Sequence, residues 1–264
     1  MKTAKARKPA KPKFLGYVAY EGPSLFDGKP IAVIVTKINQ GSTNEKTGAL
    51  VQTFIIRTDV DPVTALRDGS DASICGLCAH RPLLAAMTGE APCYVQVAKS
   101  VLSVFNAYKR GRYTYASLEE IALALAGKKV RIGTYGDGAM APVSMWQSIL
   151  RYVAGKTGYS HQWAQAFFDA QAWAPLVMAS VDSTEERIQA KALGMRTFRV
   201  SVGVSREKRE AVCPASKEAG RKLTCADCLL CGGTSVNAND IVIADHAIGH
   251  AARAKRIQSI TLAA

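Results

Sequence analysis

Seven cysteines carry the strongest chemical signal in this sequence. Cys225, Cys228 and Cys231 follow one another as C-x-x-C-x-x-C, and Cys213 stands upstream with eleven residues between and Pro214 directly after it. Such a loop can turn four soft thiolates toward one centre, which suits an iron-sulfur cluster or zinc. Pairs that share a central cysteine are untypical of a zinc ribbon. With the Cys-Pro element they resemble ferredoxin-type loops, so the spacing favours a cluster, 4Fe-4S in type, over zinc or reduced thiols. Gly232 and Gly233 would let backbone amides approach the sulfurs.

The other three, Cys75, Cys78 and Cys93, form a C-x-x-C pair and a third thiol after fourteen intervening residues. Three protein ligands leave a fourth position open, the arrangement expected where a metal meets a substrate. His80 could fill that position, which would make a Cys3His zinc knuckle instead, and buried unligated thiols are the third reading. An odd count, tight spacings and no export signal favour metal over disulfides.

Polar residues gather where parallel strands would end, which is where α/β folds bind ligands. They are Tyr135, Gly136, Asp137 and Gly138 in TYGDG, His161 and Gln162 in YSHQW, Ser180 and Asp182 in ASVDS, Arg199 and Ser201 in FRVS, and Asp245 with His246 in ADH. Asp137, His161, Asp182 and Arg199 are the candidate catalytic residues. Gly136, Gly138 and Ser180 are the candidate cofactor contacts, since a carboxylate between glycines is open to close approach. Competing readings are plain. Asp182 precedes a helix and could cap it, and a lone histidine is more often hydrogen-bonded structure than catalyst. His246 and His250 are spaced for one helix face, as a metal pair or as part of a basic helix. YKRGRY at 108–113 mixes aromatics with cations, as a nucleic-acid contact or as an ordinary basic turn. Neither a Walker loop nor a dinucleotide-binding glycine fingerprint is present.

The elements that must position these residues read as α/β. IAVIVTK (31–37) and LVQTFIIRT (50–58) predict an antiparallel hairpin around the exposed turn GSTNEKTG. Ser117 and Glu120 predict a capped helix to Gly127, followed by a strand at 130–135. Pro142 opens a helix whose Trp146, Ile149, Leu150 and Val153 share one face. A strand at 175–181, a helix from Ser183 to Gly194, and strands at 197–202 and 241–244 complete the alternation. This predicts a parallel sheet, open or as a partial TIM-like barrel, with an N-terminal hairpin and cysteine-rich metal-binding loops. Residues 14–264 would form one α/β domain, 14–126 the hairpin and first cysteines, 127–264 the β/α part and second cysteines.

The net charge is +13, of which six charges lie in the opening MKTAKARKPAKPK, a tail expected to be disordered, leaving a body near +7. That balance favours a nucleic-acid or nucleotide partner and is equally met by a solubilising tail. Hydrophobic residues make up 48%, enough for a full core, and no apolar run is long enough to span a bilayer. A cytoplasmic protein with no membrane partner is expected.

Taken in order, DASICGLCAHRP, PCYVQV, VRIGTYGDGAMAPVSMW, GYSHQW, VMASVDSTEERIQAKALGMRTFRVS, CPASKEAG and CADCLLCGG resemble a family of bacteriophage-encoded cysteine-rich proteins. The resemblance implies phage origin and the host cytoplasm and brings no activity with it; Gly138 stands where that family has proline. A looser analogy is to radical S-adenosylmethionine enzymes, which join an α/β barrel, a three-cysteine cluster and, in some, a C-terminal cysteine-rich region, although their C-x-x-x-C-x-x-C signature is absent here. It implies S-adenosylmethionine as a co-substrate and an electron donor as a partner. The functional expectation is an iron-sulfur redox or radical enzyme acting on a nucleotide or nucleic acid. The alternative is a zinc-stabilised nucleic-acid-binding protein without catalysis.

Overall fold

The computed structural model describes residues 14–81, 93, 95–201, 203–220 and 223–244. The basic tail, Asp245, His246 and His250 lie outside the described residues. Among the described residues, eleven strands form two sheets. The first contains β1 (Gly16–Pro23), β2 (Pro30–Thr36), β3 (Val51–Arg57), β4 (Thr114–Tyr115), β5 (Lys129–Tyr135) and β6 (Gly155–Thr157), in the order β4-β1-β2-β3-β5-β6. The second contains β7 (Tyr159–Ser160), β8 (Met178–Val181), β9 (Thr197–Ser201), β10 (Glu210–Val212) and β11 (Asp240–Ala244), in the order β10-β11-β9-β8-β7.

The expected hairpin is present, with β2 antiparallel to β3, and β1 adds to its far side. From β3 onward every pairing is parallel, through β5 to β6 and from β7 through β8, β9 and β11 to β10. Only Gly158 separates β6 from β7, so one stretch of chain leaves the first sheet and enters the second. A Cβ on Gly158 would stand 2.8 Å from Val177 Cγ1 and 3.0 Å from Ile132 Cβ, which explains the glycine. Among the described residues the edges β4 and β10 do not pair, so no closed barrel forms.

Eight helices are described: α1 (Pro62–Asp68), α2 (Ala72–Cys75), α3 (Leu102–Lys109), α4 (Leu118–Leu125), α5 (Val143–Ile149), α6 (Ala170–Trp173), α7 (Thr184–Ala192) and α8 (Cys225–Cys228). Ser117 and Glu120 make the expected capping box on α4. Helix α5 stops at Ile149, so Val153 falls outside the stripe it was expected to extend. No helix among the described residues is long and apolar enough to cross a membrane.

Two cores separate the faces of the sheets. Ile31–Val35 of β2 is buried without interruption, as expected for a strand covered on both sides. The larger core joins this hairpin to Ile121 and Leu125 of α4, Trp146 and Ile149 of α5 and Ala190 of α7. Side chains alternate across a strand, and in β8 Ala179 and Val181 enter that core while Met178 enters the second. The second core unites Leu50, Met178, Ile241 and Ile243 with Cys213, Cys225 and Cys231. The helix α7 therefore covers one face of the second sheet and the cysteine-bearing segment covers the other.

Candidate functional site

The second cysteine group is built by three pieces of chain. Cys213 continues the β10–β11 pairing, its N–H donating to Val242 O at 2.9 Å. Cys225 and Cys228 sit on α8, which Thr224 and Asp227 cap reciprocally. Cys231 follows, and its carbonyl accepts the Gly158 N–H at 3.1 Å. The hairpin turn read as exposed has a structural task here. Lys46 O and Thr47 O accept the N–H groups of Cys225 and Ala226, and Gly48 (φ +64) packs so closely that a Cβ would lie 2.5 Å from Thr224 Oγ1.

All four cysteines line one hollow of about 10 Å³, together with Thr157, Tyr159, Pro214, Ala215, Leu229, Leu230 and Ile241. Thr157 is 2% exposed and its hydroxyl has no hydrogen-bond partner among the described residues. Among those residues no three cysteine sulfurs lie within 4.8 Å of one another. The hollow has room for about one water. Burial pushes the Cys231 thiol up to about 12, against a hydrogen bond from the Tyr159 hydroxyl, and raises Cys213 and Cys225. Arg131 and Lys46 pull Cys225 the other way, so cations already stand near a site that would carry thiolate charge.

The first cysteine group lies at the carboxyl ends of β5, β7 and β8. Its loop is held by a salt bridge between Arg81 and Asp71 at 2.5 Å, and Arg81 also donates to Gly76 O and Gly69 O. Gln162 clamps the same loop, donating to Cys75 O at 3.0 Å and accepting from the Leu77 N–H at 3.2 Å. A Cβ on Gly76 (φ +54) would lie 2.2 Å from Gln162 Oε1, so only glycine fits under the clamp. The charges that Cys78, Cys93, Asp71 and Asp137 can carry all bear on Cys75, placing the three thiols in one neighbourhood, and burial raises each of them. Tyr135 is buried, its hydroxyl has no hydrogen-bond partner among the described residues, and charge on Cys75 and Cys93 acts on it.

Asp137 is the hub beneath this loop. Its carboxylate, 7% exposed, accepts N–H from His161 at 2.8 Å and Ala139 at 3.0 Å, and the Ser160 hydroxyl at 3.1 Å. Burial raises its pKa against those bonds. Asp137 thus positions His161 from below. His161 and His80 have ring centroids 5.2 Å apart, and His80 Nε2 lies 3.1 and 3.2 Å from the Asp182 oxygens. His80 therefore turns to Asp182. Asp182 is also not the cap of α7, since Ser183 accepts the Glu186 N–H in that role.

Several other expected site residues sit elsewhere or make structural contacts. Arg199 does not join this site: it is 5% exposed and committed to Glu210 at 2.9 and 2.6 Å, an ion pair that serves the fold. Gly136 is enclosed by neighbouring protein. A Cβ there would meet Ile55 Cβ at 2.8 Å and Ile74 O at 3.1 Å, so its space is filled by protein. Gly138 packs on Ile132 and its carbonyl accepts the Trp146 indole at 2.9 Å. Ser180 contributes its carbonyl to the Trp163 indole. In YKRGRY, Tyr113 is buried and Tyr108 packs on the core, leaving no paired stacking surface. The Asp71–Arg81 brace went unread because its partners bracket both cysteines without a local period.

Family models, curated proteins and solved structures give no match to this chain, so the comparisons assign no family.

Proposed function

We propose that the chain is an iron-sulfur protein of the redox or radical class, with a buried four-cysteine centre and a second, open centre at Cys75, Cys78 and Cys93. The observation that carries the reading is that Cys213, Cys225, Cys228 and Cys231 line one hollow, beside a Thr157 hydroxyl with no hydrogen-bond partner among the described residues. Four thiolates saturate a cluster and suit electron storage; three leave one iron free for a substrate or for S-adenosylmethionine. Strand β7 runs between the two groups. Tyr159 lines the four-cysteine hollow and the next residue, Ser160, donates to Asp137 beneath the open site.

The net charge of +13 supports a polyanionic substrate, a nucleotide or nucleic acid, with an external electron donor as partner. The same reading places the protein in the phage host's cytoplasm, where thiols stay reduced. Anaerobic reconstitution with iron and sulfide of wild type, Cys228→Ser and Cys93→Ala tests it. Each variant should lose about one cluster's worth of acid-labile sulfide, and S-adenosylmethionine should perturb the reduced spectrum only where Cys93 is intact. Equal sulfide in all three proteins contradicts the two-centre reading, and a cluster indifferent to S-adenosylmethionine removes it as a ligand.

A further inference from the structure

Beside the open cysteine group stands a second set of donors that the iron-sulfur reading does not use. His80 comes from the loop after Cys78, His161 from the end of β7 and Asp182 from the end of β8. One ligand atom from each lies within 4.8 Å of the other two, the only such group among the described residues. We propose that His80, His161 and Asp182 bind one divalent first-row transition-metal ion, held on one side by two imidazoles and a carboxylate and open on the other to an oxygen-donor ligand.

The spacing fits an ion. Metal bonds of about 2.1 Å place neighbouring donors roughly 3.0 Å apart at a right angle and about 3.4 Å apart at a tetrahedral one. The His80–Asp182 distances of 3.1 and 3.2 Å fall in that interval. Two imidazoles and one carboxylate are borderline donors that take manganese, iron(II), cobalt or zinc, and the same set with vacant positions is characteristic of non-haem iron(II) sites. Side-chain exposures of 16% for His80 and 14% for Asp182 leave a route for the ion and a further ligand.

The ligands are also held from behind, as metal ligands are. Asp137 fixes the His161 backbone, the Glu186 carboxylate accepts the Asp182 N–H at 2.6 Å, and Ser183 relieves Asp182 of capping α7. Negative charge on Asp182 and Asp137 bears on Cys78, so the surroundings favour a cation. This inference does not depend on the sulfur clusters, because its donors are nitrogen and oxygen only.

Manganese(II) separates the two, since it prefers these donors to thiolates. The full chain, stripped with a chelator, is titrated with manganese(II) while the electron paramagnetic resonance signal of the free ion is followed. Wild type should remove about one equivalent. Asp182→Asn, which keeps a hydrogen-bond acceptor for His80 but loses the charge, and His80→Ala should each bind at least about tenfold more weakly, with melting temperatures near wild type. Cys93→Ala should bind as wild type does. Manganese left free by the wild type, or binding unchanged in both ligand variants, overturns the proposal, as does binding lost in Cys93→Ala but kept in the others.

Discussion

Asp137 offers the sharpest stability test, because one buried carboxylate accepts three close hydrogen bonds, and a longer one from the Gln162 amide at 3.5 Å, from two segments. Asp137→Ala strands the His161 and Ala139 N–H groups and the Ser160 hydroxyl. Each unsatisfied buried donor costs about 1–3 kcal/mol, and relaxation recovers part of this, giving about 3–4 kcal/mol in all. Asp137→Asn keeps an oxygen for His161 and Ser160 and gives up one bond, so its cost is about 1 kcal/mol. The sign with pH is fixed by burial. The folded pKa is raised, so the carboxyl's contribution is complete below its unfolded value and is lost as pH rises through the folded one. Wild type should therefore lead Asp137→Asn by most in acid and by less toward neutral pH. Urea unfolding of the three proteins at several pH values measures both effects. Equal midpoints for the alanine and asparagine variants, or a wild-type advantage that grows with pH, would refute the reasoning.

Arg199→Ala should cost about 3 kcal/mol, at the low end for a buried ion pair because Arg187 remains beside Glu210; unfolding measures it, and iron and sulfide content per folded chain should not change. Metal-free, reduced protein should lose melting temperature as pH rises from about 9, the unfolded thiol range, toward the Cys231 value of about 12, since the raised thiols stabilise the fold only while protonated. A flat melting profile over that window contradicts the burial of these thiols. Removing residues 1–13 deletes six positive charges and should flatten the logarithmic salt dependence of nucleic-acid binding by up to about 5; equal slopes would take the tail out of binding.

Legibility followed the range of the forces involved. The hairpin, the Ser117 capping box and the strands at Lys129–Tyr135, Thr197–Ser201 and Asp240–Ala244 were readable, because alternation and capping are local patterns. Strand β1 was not foreseen: GYVAYEGP is half-exposed and has little alternation to read. The continuity of β6 and β7 through Gly158 escaped for another reason, since it depends on Val177 and Ile132 from other strands. At the site, the strand-end rule brought out Asp137, His161 and Asp182, which do meet. It also brought in Arg199, whose partner Glu210 lies on a neighbouring piece of chain. Local sequence marks a polar strand end but not whether another segment has already neutralised it. The Gln162 clamp and the Arg81 brace show the same limit, because each acts through tertiary contact.

The most direct test of the central claim is the metal and acid-labile sulfide content of protein purified under anaerobic conditions. Iron and sulfide together, retained in Cys93→Ala at the level of one cluster and reduced in Cys228→Ser, is the predicted result. Zinc in the purified protein, with no sulfide and no iron uptake on reconstitution, would contradict it.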